Sequence, residues 1–363
     1  MRNAVMDIKN LSPTAKLYLR PVGLGSGIAI AGGRARFSGV EVSARSGATV
    51  EFVQTLRIDA IAPFRAQLAP ALAARFDQLW ARLTTPRPHL SLATGEIDLA
   101  TPKVMGILNV TPDSFSDGGR HSDPAQAVAA AKAMVVAGAA LVDIGGESTR
   151  PRAPHVPLGT ERARVAPVLA GLRGTDVPIS IDTRQSAVMA LALDAGAGVI
   201  NDVSALQFDG DALALVAKSG CPVVLMHAQG VPQSMQDAPH YDDVLRDVFD
   251  WLEARIDAVV AGEVARARII VDPGIGFGKT VAHNLELLRG LGMLHGLGCP
   301  ILLGVSRKKL IGVLGGDVDA VDRSGGSLAL ALAGLDQGVQ MLRVHDVGAT
   351  VQAVRLWEAL HDD

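Results

Sequence analysis

The sequence predicts an α/β protein: a (β/α)8 TIM barrel over residues 101–363, preceded by a small N-terminal α/β appendage over residues 1–100. Three observations carry this. Eight short apolar runs each end in polar residues. Strand and helix patterns alternate at a spacing of about 30 residues, as parallel βα units do. The first hundred residues lack that rhythm and read as several strands and one helix. A closed barrel gathers the C-terminal ends of its strands on one face, where chemistry is built.

In the appendage, Leu17 and Leu19, then Ala35 and Phe37, sit in short apolar stretches between glycine-rich turns. Val50, Phe52, Leu56 and Ile58 are interleaved with Glu51, Thr55 and Arg57, the pattern of a half-exposed strand. Leu72, Phe76, Leu79 and Leu83 recur at helical spacing. Pro70 starts or kinks that helix, and Pro86 and Pro88 end it. Nothing in this part forms a recognisable chemical constellation, so its expected role is structural.

From Pro102 the βα rhythm begins. The strand candidates run into Asn109, Asp143, Asp182, Asn201, His227, Asp272, Ser306 and His345. Asp123 followed by Pro124 reads as an N-cap with proline at the first helical position. Val244, Val248, Leu252, Ile256 and Val259 mark a long helix, and Val351, Val354 and Leu360 beside Trp357 mark the last one.

Bulk properties exclude several classes. Of 363 residues 48% are hydrophobic and 20% charged, so a large core is expected and disorder is not. The net charge of −3 gives no electrostatic footprint for nucleic acid or an anionic membrane. No apolar run approaches the roughly 18 residues of a membrane span, and the start lacks a signal-peptide core. A cytoplasmic location is expected. Cys221 and Cys299 each precede a proline that opens a strand, on the face opposite the polar ends, so neither a disulfide nor a metal site is expected.

Singly, the polar strand ends are weak signals. Asp143, between Val142 and Ile144, reads as a buried structural carboxylate. Asp182 and Asp272 each end a strand and open a polar or glycine-rich loop; with Asn201 they suit an amide-rich heterocycle, whose ring N–H and amino groups need acceptors. The G-K-T at Gly278 imitates a phosphate loop, but the glycine spacing that motif requires is missing. Ser306, Arg307 and Lys308 precede an apolar helix, where an anion is favoured. Arg343 and His345 alternate on the last strand and are expected to point the same way; an arginine there can grip phosphate oxygens or stack on a ring, and a histidine can donate to a phosphate or stand as a satisfied core residue. Two polar loops, after Asn109 and from Glu147 to Arg152, have the composition of active-site covers.

Together these motifs resemble dihydropteroate synthase. The matching stretches are N-V-T-P-D-S-F-S-D-G-G from Asn109, D-I-G-G-E-S-T-R-P from Asp143, S-I-D-T from Ser180, N-D-V from Asn201, L-M-H from Leu225, D-P-G-I-G-F-G-K from Asp272, G-V-S-R-K from Gly304 and R-V-H-D-V from Arg343. They arrive in family order across residues 103–360. The resemblance implies condensation of p-aminobenzoate with 6-hydroxymethyl-7,8-dihydropterin pyrophosphate. It implies a pterin site of Asp182, Asn201, Met226, Asp272, Phe277, Lys308 and Arg343. Phe115, Thr149, Arg150, Pro151 and Ser306 would hold p-aminobenzoate. Asn109, Arg343 and His345 would hold pyrophosphate, with Asn109 as the protein ligand of Mg2+. Asp117, Lys308, Arg343 and His345 would be catalytic. A homodimer through late barrel helices is implied too. Arg152 departs from the glycine usual at that place, which bears on loop closure and sulfonamide response. Two other readings share the pterin grip: a methyltetrahydrofolate–corrinoid methyltransferase, which needs neither the Asn109 loop nor Arg343 and His345, and a non-catalytic pterin-binding homologue.

Overall fold

The computed structural model describes residues 8, 11–12, 14–92, 94–111, 123–148, 153–230, 233–316 and 318–362. The appendage is an antiparallel sheet of β1 (Lys16–Ala29), β2 (Arg36–Ser46) and β3 (Thr49–Arg57), followed by α1 (Ile61–Arg65) and α2 (Pro70–Thr84). Pro70 occupies the first turn of α2, where its missing N–H costs nothing. Phe76, Leu79 and Leu83 are buried from α2, and Phe37 packs edge-on against Trp80. A short hairpin, β4 (Leu90–Leu92) with β5 (Gly95–Ile97), was not legible as strands. It belongs physically to the barrel: Leu90, Ile97 and Leu99 close the apolar layer formed by Met105, Leu141, Val199, Val224, Ile270, Leu302 and Met341.

The barrel follows: β6 (Lys103–Asn109), α3 (Pro124–Val136), β7 (Leu141–Gly145), α4 (Leu158–Leu172), β8 (Ile179–Asp182), α5 (Ser186–Asp194), β9 (Val199–Asp202), α6 (Ala212–Ser219) and β10 (Val223–Met226). Then come α7 (Val244–Ala261), β11 (Ile269–Asp272), α8 (Val281–Arg289), β12 (Leu302–Leu303), α9 (Lys309–Leu314), α10 (Ser324–Asp336), β13 (Met341–Val344) and α11 (Val347–Leu360). The eight parallel strands run in the order β11-β10-β9-β8-β7-β6-β13-β12, and a parallel bridge between Val271 and Ile301 closes the ring. Strands this short are buried on both faces, so they carry continuous apolar runs rather than alternation.

Asp123 caps α3 by accepting from the Ala125 N–H at 2.9 Å. Cys221 and Cys299 are free and buried. No helix among the described residues is long and apolar enough to cross a membrane. The appendage docks on the flank of α7 and on the 3-10 segment Leu291–Leu297. Tyr18 donates to Asp250 (2.9 Å), Arg45 pairs with Asp250 (3.0 Å), and Arg75 pairs with Glu253 (2.6 Å).

Candidate active site

Side chains alternate along a strand, so the residue two beyond each inward apolar residue also points inward. Above Leu141 this is Asp143; above Val199, Asn201; above Val224, Met226; above Ile270, Asp272; above Met341, Arg343. The layer above the apolar plug is therefore largely polar. Asp143 is its hub. Its carboxylate accepts from Ser180 Oγ (2.6 Å), Asn201 Nδ2 (2.8 Å) and Arg343 Nε (2.6 Å), with its side chain wholly buried. The sequence reading took Asp143 as a structural carboxylate. It is buried, yet it also orients two expected site residues, and its register beside Asn201 and Arg343 is the signal that marks it.

Arg343 bridges two carboxylates, donating from its second terminal nitrogen to Asp182 at 2.8 Å. Burial pushes Asp182 up to about 7, against the pull of the Arg343 guanidinium, and the neighbouring Asp143 adds to the rise. Burial likewise raises Asp272, opposed by the Gly274 N–H, which donates to it at 2.7 Å, and by Lys308. Two buried carboxylates thus stand where the ionised form is held at a cost and a hydrogen-bond donor is wanted.

The loop after β11 is shaped by close approach. At Gly274 φ is +66°, and a Cβ there would lie 1.9 Å from the His227 carbonyl oxygen. Lys279 pins the loop from inside. Its ammonium donates to the carbonyls of Gly274 (3.0 Å) and Phe277 (2.9 Å) and lies 2.9 Å from His227 Nδ1. Burial pulls this lysine down to about 7. Thr280 caps α8 in a reciprocal pair with His283. The imitation phosphate loop is therefore a structural device. Phe277 faces the mouth, with Lys308 Nζ 4.2 Å from its ring centre.

β13 stops at Val344, one residue short of the expected strand, because the His345 N–H turns to Ser306 Oγ (3.2 Å). The same hydroxyl lies 3.0 Å from His345 Nδ1. Arg343 and His345 are thus not successive residues of one regular strand face: the first reaches Asp143 and Asp182, the second Ser306. Arg307 adopts φ +58°, held by its N–H to Ser327 Oγ (2.9 Å) and by an ion pair with Asp346. That tight turn leaves Ser306 and Lys308 on the mouth side. Asn109, half-buried at the end of β6, lies beside Asp182: a Cβ on Gly145 would sit 3.6 Å from an oxygen of each.

The structure thus brings Asp182, Asn201, Met226, Asp272, Phe277, Lys308, Arg343, Asn109, Ser306 and His345 to one mouth. Phe115, Asp117, Thr149, Arg150, Pro151 and Arg152 lie outside the described residues. A cavity of about 240 Å³ opens beside Met226 and Phe277. A larger one, of about 640 Å³, lies at the opposite end of the barrel between α5, α6 and β4, away from all of this chemistry.

Residues 105–345 match the family of pterin binding enzymes. A dihydropteroate synthase of Neisseria meningitidis serogroup C is 49% identical over 268 residues, covering 73% of this chain and 95% of that protein. The dihydropteroate synthase of Escherichia coli K12 is 46% identical, covering 72% of this chain and 93% of its own length. Among solved structures, Xanthomonas albilineans dihydropteroate synthase with 4-aminobenzoic acid superposes with a TM-score of 0.72 at 47% identity, over 76% of this chain and 99% of that one. The same organism's enzyme in complex with 7,8-dihydropteroate gives 0.69 at 44% identity, over 76% and 100%. By sequence and by fold, the chain belongs to the dihydropteroate synthase family of pterin-binding barrels.

Proposed function

We propose that this mouth joins the amino nitrogen of p-aminobenzoate to the methylene carbon of 6-hydroxymethyl-7,8-dihydropterin pyrophosphate. The C–O bond to pyrophosphate breaks with its electron pair, the C–N bond forms, and the amine proton passes to solvent. The products are 7,8-dihydropteroate and pyrophosphate. The observation that carries the reading is the polar layer itself: Asp182, Asn201 and Asp272 around one opening, with Arg343 joined to Asp182 and to Asp143, which also holds Asn201.

Asp182, Asn201 and Asp272 are suited to accept from the pterin's ring N–H and amino groups, while Asn201 and Lys308 donate to its carbonyl edge. Met226 and Phe277 supply the apolar faces. Arg343 is pre-oriented by Asp143, so its guanidinium meets the leaving group without reorganising. His345, seated on Ser306, offers a second donor to the pyrophosphate. Ser306 and the start of α9 receive the p-aminobenzoate carboxylate, and Phe115, Thr149, Arg150 and Pro151 cover that substrate. Asp117 stabilises the positive charge that grows on the methylene carbon. The neutral aniline nitrogen is already nucleophilic, so positioning supplies much of the acceleration.

Mg2+ belongs to this reading. Asn109 would hold it through an amide oxygen, and the ion would offset charge on the departing pyrophosphate. Among the described residues there is no cluster of three acidic, histidine or cysteine ligands. A single amide oxygen as protein ligand suits an ion bound chiefly by water and phosphate oxygens. A homodimer is also part of the proposal. α10 is apolar round its circumference, with Asp336 as its single charge, and the neighbouring Val313, Leu314 and Val321 are exposed. Such a surface favours a second copy.

The test compares two ligands. Equilibrium binding of the pterin pyrophosphate and of the free pterin alcohol is measured in wild type, Asp272→Asn and His345→Ala. The reading expects Asp272→Asn to weaken both about 10- to 100-fold. His345→Ala should weaken only the pyrophosphate. Equal loss of both ligands in His345→Ala contradicts the assignment of the pyrophosphate end.

A further inference from the structure

Ser43 and Arg45 stand two apart on β2, the middle strand of the N-terminal sheet, so their side chains share a face. Across the β1–β2 pairing they sit opposite Tyr18 and Lys16. That face meets the start of α7, residues 243–247. Arg45 donates to Asp247 Oδ1 at 2.5 Å. The other oxygen of the same carboxylate accepts from the Asp242 N–H (3.0 Å) and the Asp243 N–H (3.1 Å). Ser43 Oγ accepts from one terminal nitrogen of Arg246 at 2.8 Å, and the other pairs with Asp243, the residue that caps α7. Arg45 is 10% exposed and Arg246 11%, so both guanidinium groups work largely out of water.

Tyr241 immediately precedes this turn. Its hydroxyl donates to the Gly278 carbonyl at 2.9 Å, and its ring meets His283 of α8 edge-on at 5.0 Å. Burial, and then the Asp247 charge, raise the phenol above its ordinary range, so it stays a donor. Phe277, the aromatic face of the mouth, is the residue before Gly278. Lys279 holds the carbonyls of Gly274 and Phe277 from inside the loop, and Tyr241 holds the next carbonyl from α7's side. One series of bonds thus runs from the N-terminal sheet to the mouth: Arg45, Asp247, the backbone at 242 and 243, Tyr241 and Gly278.

We propose that the N-terminal sheet is a working part of the pterin site, with Arg45 and Tyr241 as positioning residues for Phe277. The inference rests on the proposed reaction and deepens it. The sheet lies outside residues 105–345, the part that matches the family, so the brace reaches the barrel's mouth from beyond the matched region. Asp250 separates bracing from docking. It stands one turn further along α7, and the bonds it receives come from Lys16, Tyr18 and Arg45 of the sheet. It therefore holds the sheet in place, whereas Asp247 shares its two oxygens between the sheet and the turn that carries Tyr241.

The test uses the purified full chain with Mg2+. Three quantities are read: Kd for the pterin pyrophosphate without p-aminobenzoate, KM for p-aminobenzoate at saturating pterin, and Tm. Loss of one such bond is expected to raise the pterin Kd about tenfold in Tyr241→Phe and about fivefold in Arg45→Met. Both act along one series, so the double variant should stay near about tenfold, where independent sites would give about fiftyfold. Asp247→Asn keeps an oxygen for the backbone N–H groups and loses the ion pair. It is the milder change and folds even if Arg45→Met does not; a rise of about fivefold is expected. Asp250→Ala should lower Tm and leave the pterin Kd within about twofold, and KM for p-aminobenzoate should move less than about twofold in every variant. Additive losses in the double variant overturn the brace. So does a Kd unmoved in Tyr241→Phe and Asp247→Asn. A rise in Asp250→Ala equal to that in Arg45→Met overturns it as well, because docking alone then accounts for both. A wild-type chain that fails to bind the pterin pyrophosphate overturns the reading of the site and the brace with it; one that binds it equally well in all variants overturns the brace alone.

Discussion

Asp182 shows how one residue sets a pH dependence. Its folded pKa, pushed up by burial to about 7, lies above the unfolded value of about 3.9. Between those values the folded chain binds the extra proton, so this group's contribution to stability falls as pH rises from about 4 to 7. Binding has the opposite sign, because an acceptor is needed: affinity for the pterin should fall as pH drops below about 7. A pH profile of kcat/KM for the pterin pyrophosphate checks this. Asp182→Asn should lose about 10- to 100-fold in that parameter and also lose the acidic limb. Asp143→Asn acts differently. It leaves Arg343 and Asn201 with one acceptor fewer in a dry site, at a cost of about 3–5 kcal/mol by denaturant unfolding. Asp182, Asn201 and Asp272 were legible in sequence because each ends an apolar run. Asp143 was not, because a carboxylate between two apolar residues looks the same whether it braces a core or orients a guanidinium. Only the register across β7, β9 and β13 separates the two.

At the scale of elements, the glycine loop after β11 and the β4–β5 hairpin make contrasting claims. Gly274→Ala would drive a Cβ into the His227 carbonyl at a positive φ, and a loss of at least about 2 kcal/mol is expected by thermal unfolding. Leu90→Ala should cost about 2–5 kcal/mol, because Leu90 is buried in the layer that closes the barrel's lower end. Catalysis in the remaining folded protein should be unchanged, since the site lies at the other mouth. The glycines announced their turn, and the apolar runs announced the barrel strands. The hairpin escaped notice because three-residue strands carry too little alternation to show a period. β13 ended early for a related reason: capture of the His345 N–H by Ser306 Oγ competes with the ladder, and no local pattern encodes that.

At the scale of the whole molecule, the barrel is matched by its family over residues 105–345, and the N-terminal sheet and helices pack on α7 through ion pairs and an aromatic contact. Asp250 receives Lys16, Tyr18 and Arg45 from that appendage. Asp250→Ala should lower stability by about 1–3 kcal/mol and leave both KM values and kcat within twofold, which steady-state kinetics and a melting curve together check. The βα rhythm made the barrel legible at this scale. The docking face was not, because its partners lie some two hundred residues apart in the chain. The measurement that bears most directly on the central claim is a joint product assay: the purified chain is incubated with Mg2+, p-aminobenzoate and the pterin pyrophosphate, and dihydropteroate and pyrophosphate are quantified together. Equal amounts of both, abolished by omitting Mg2+ and by Lys308→Ala, are the expected result; pterin binding with neither product formed would contradict it.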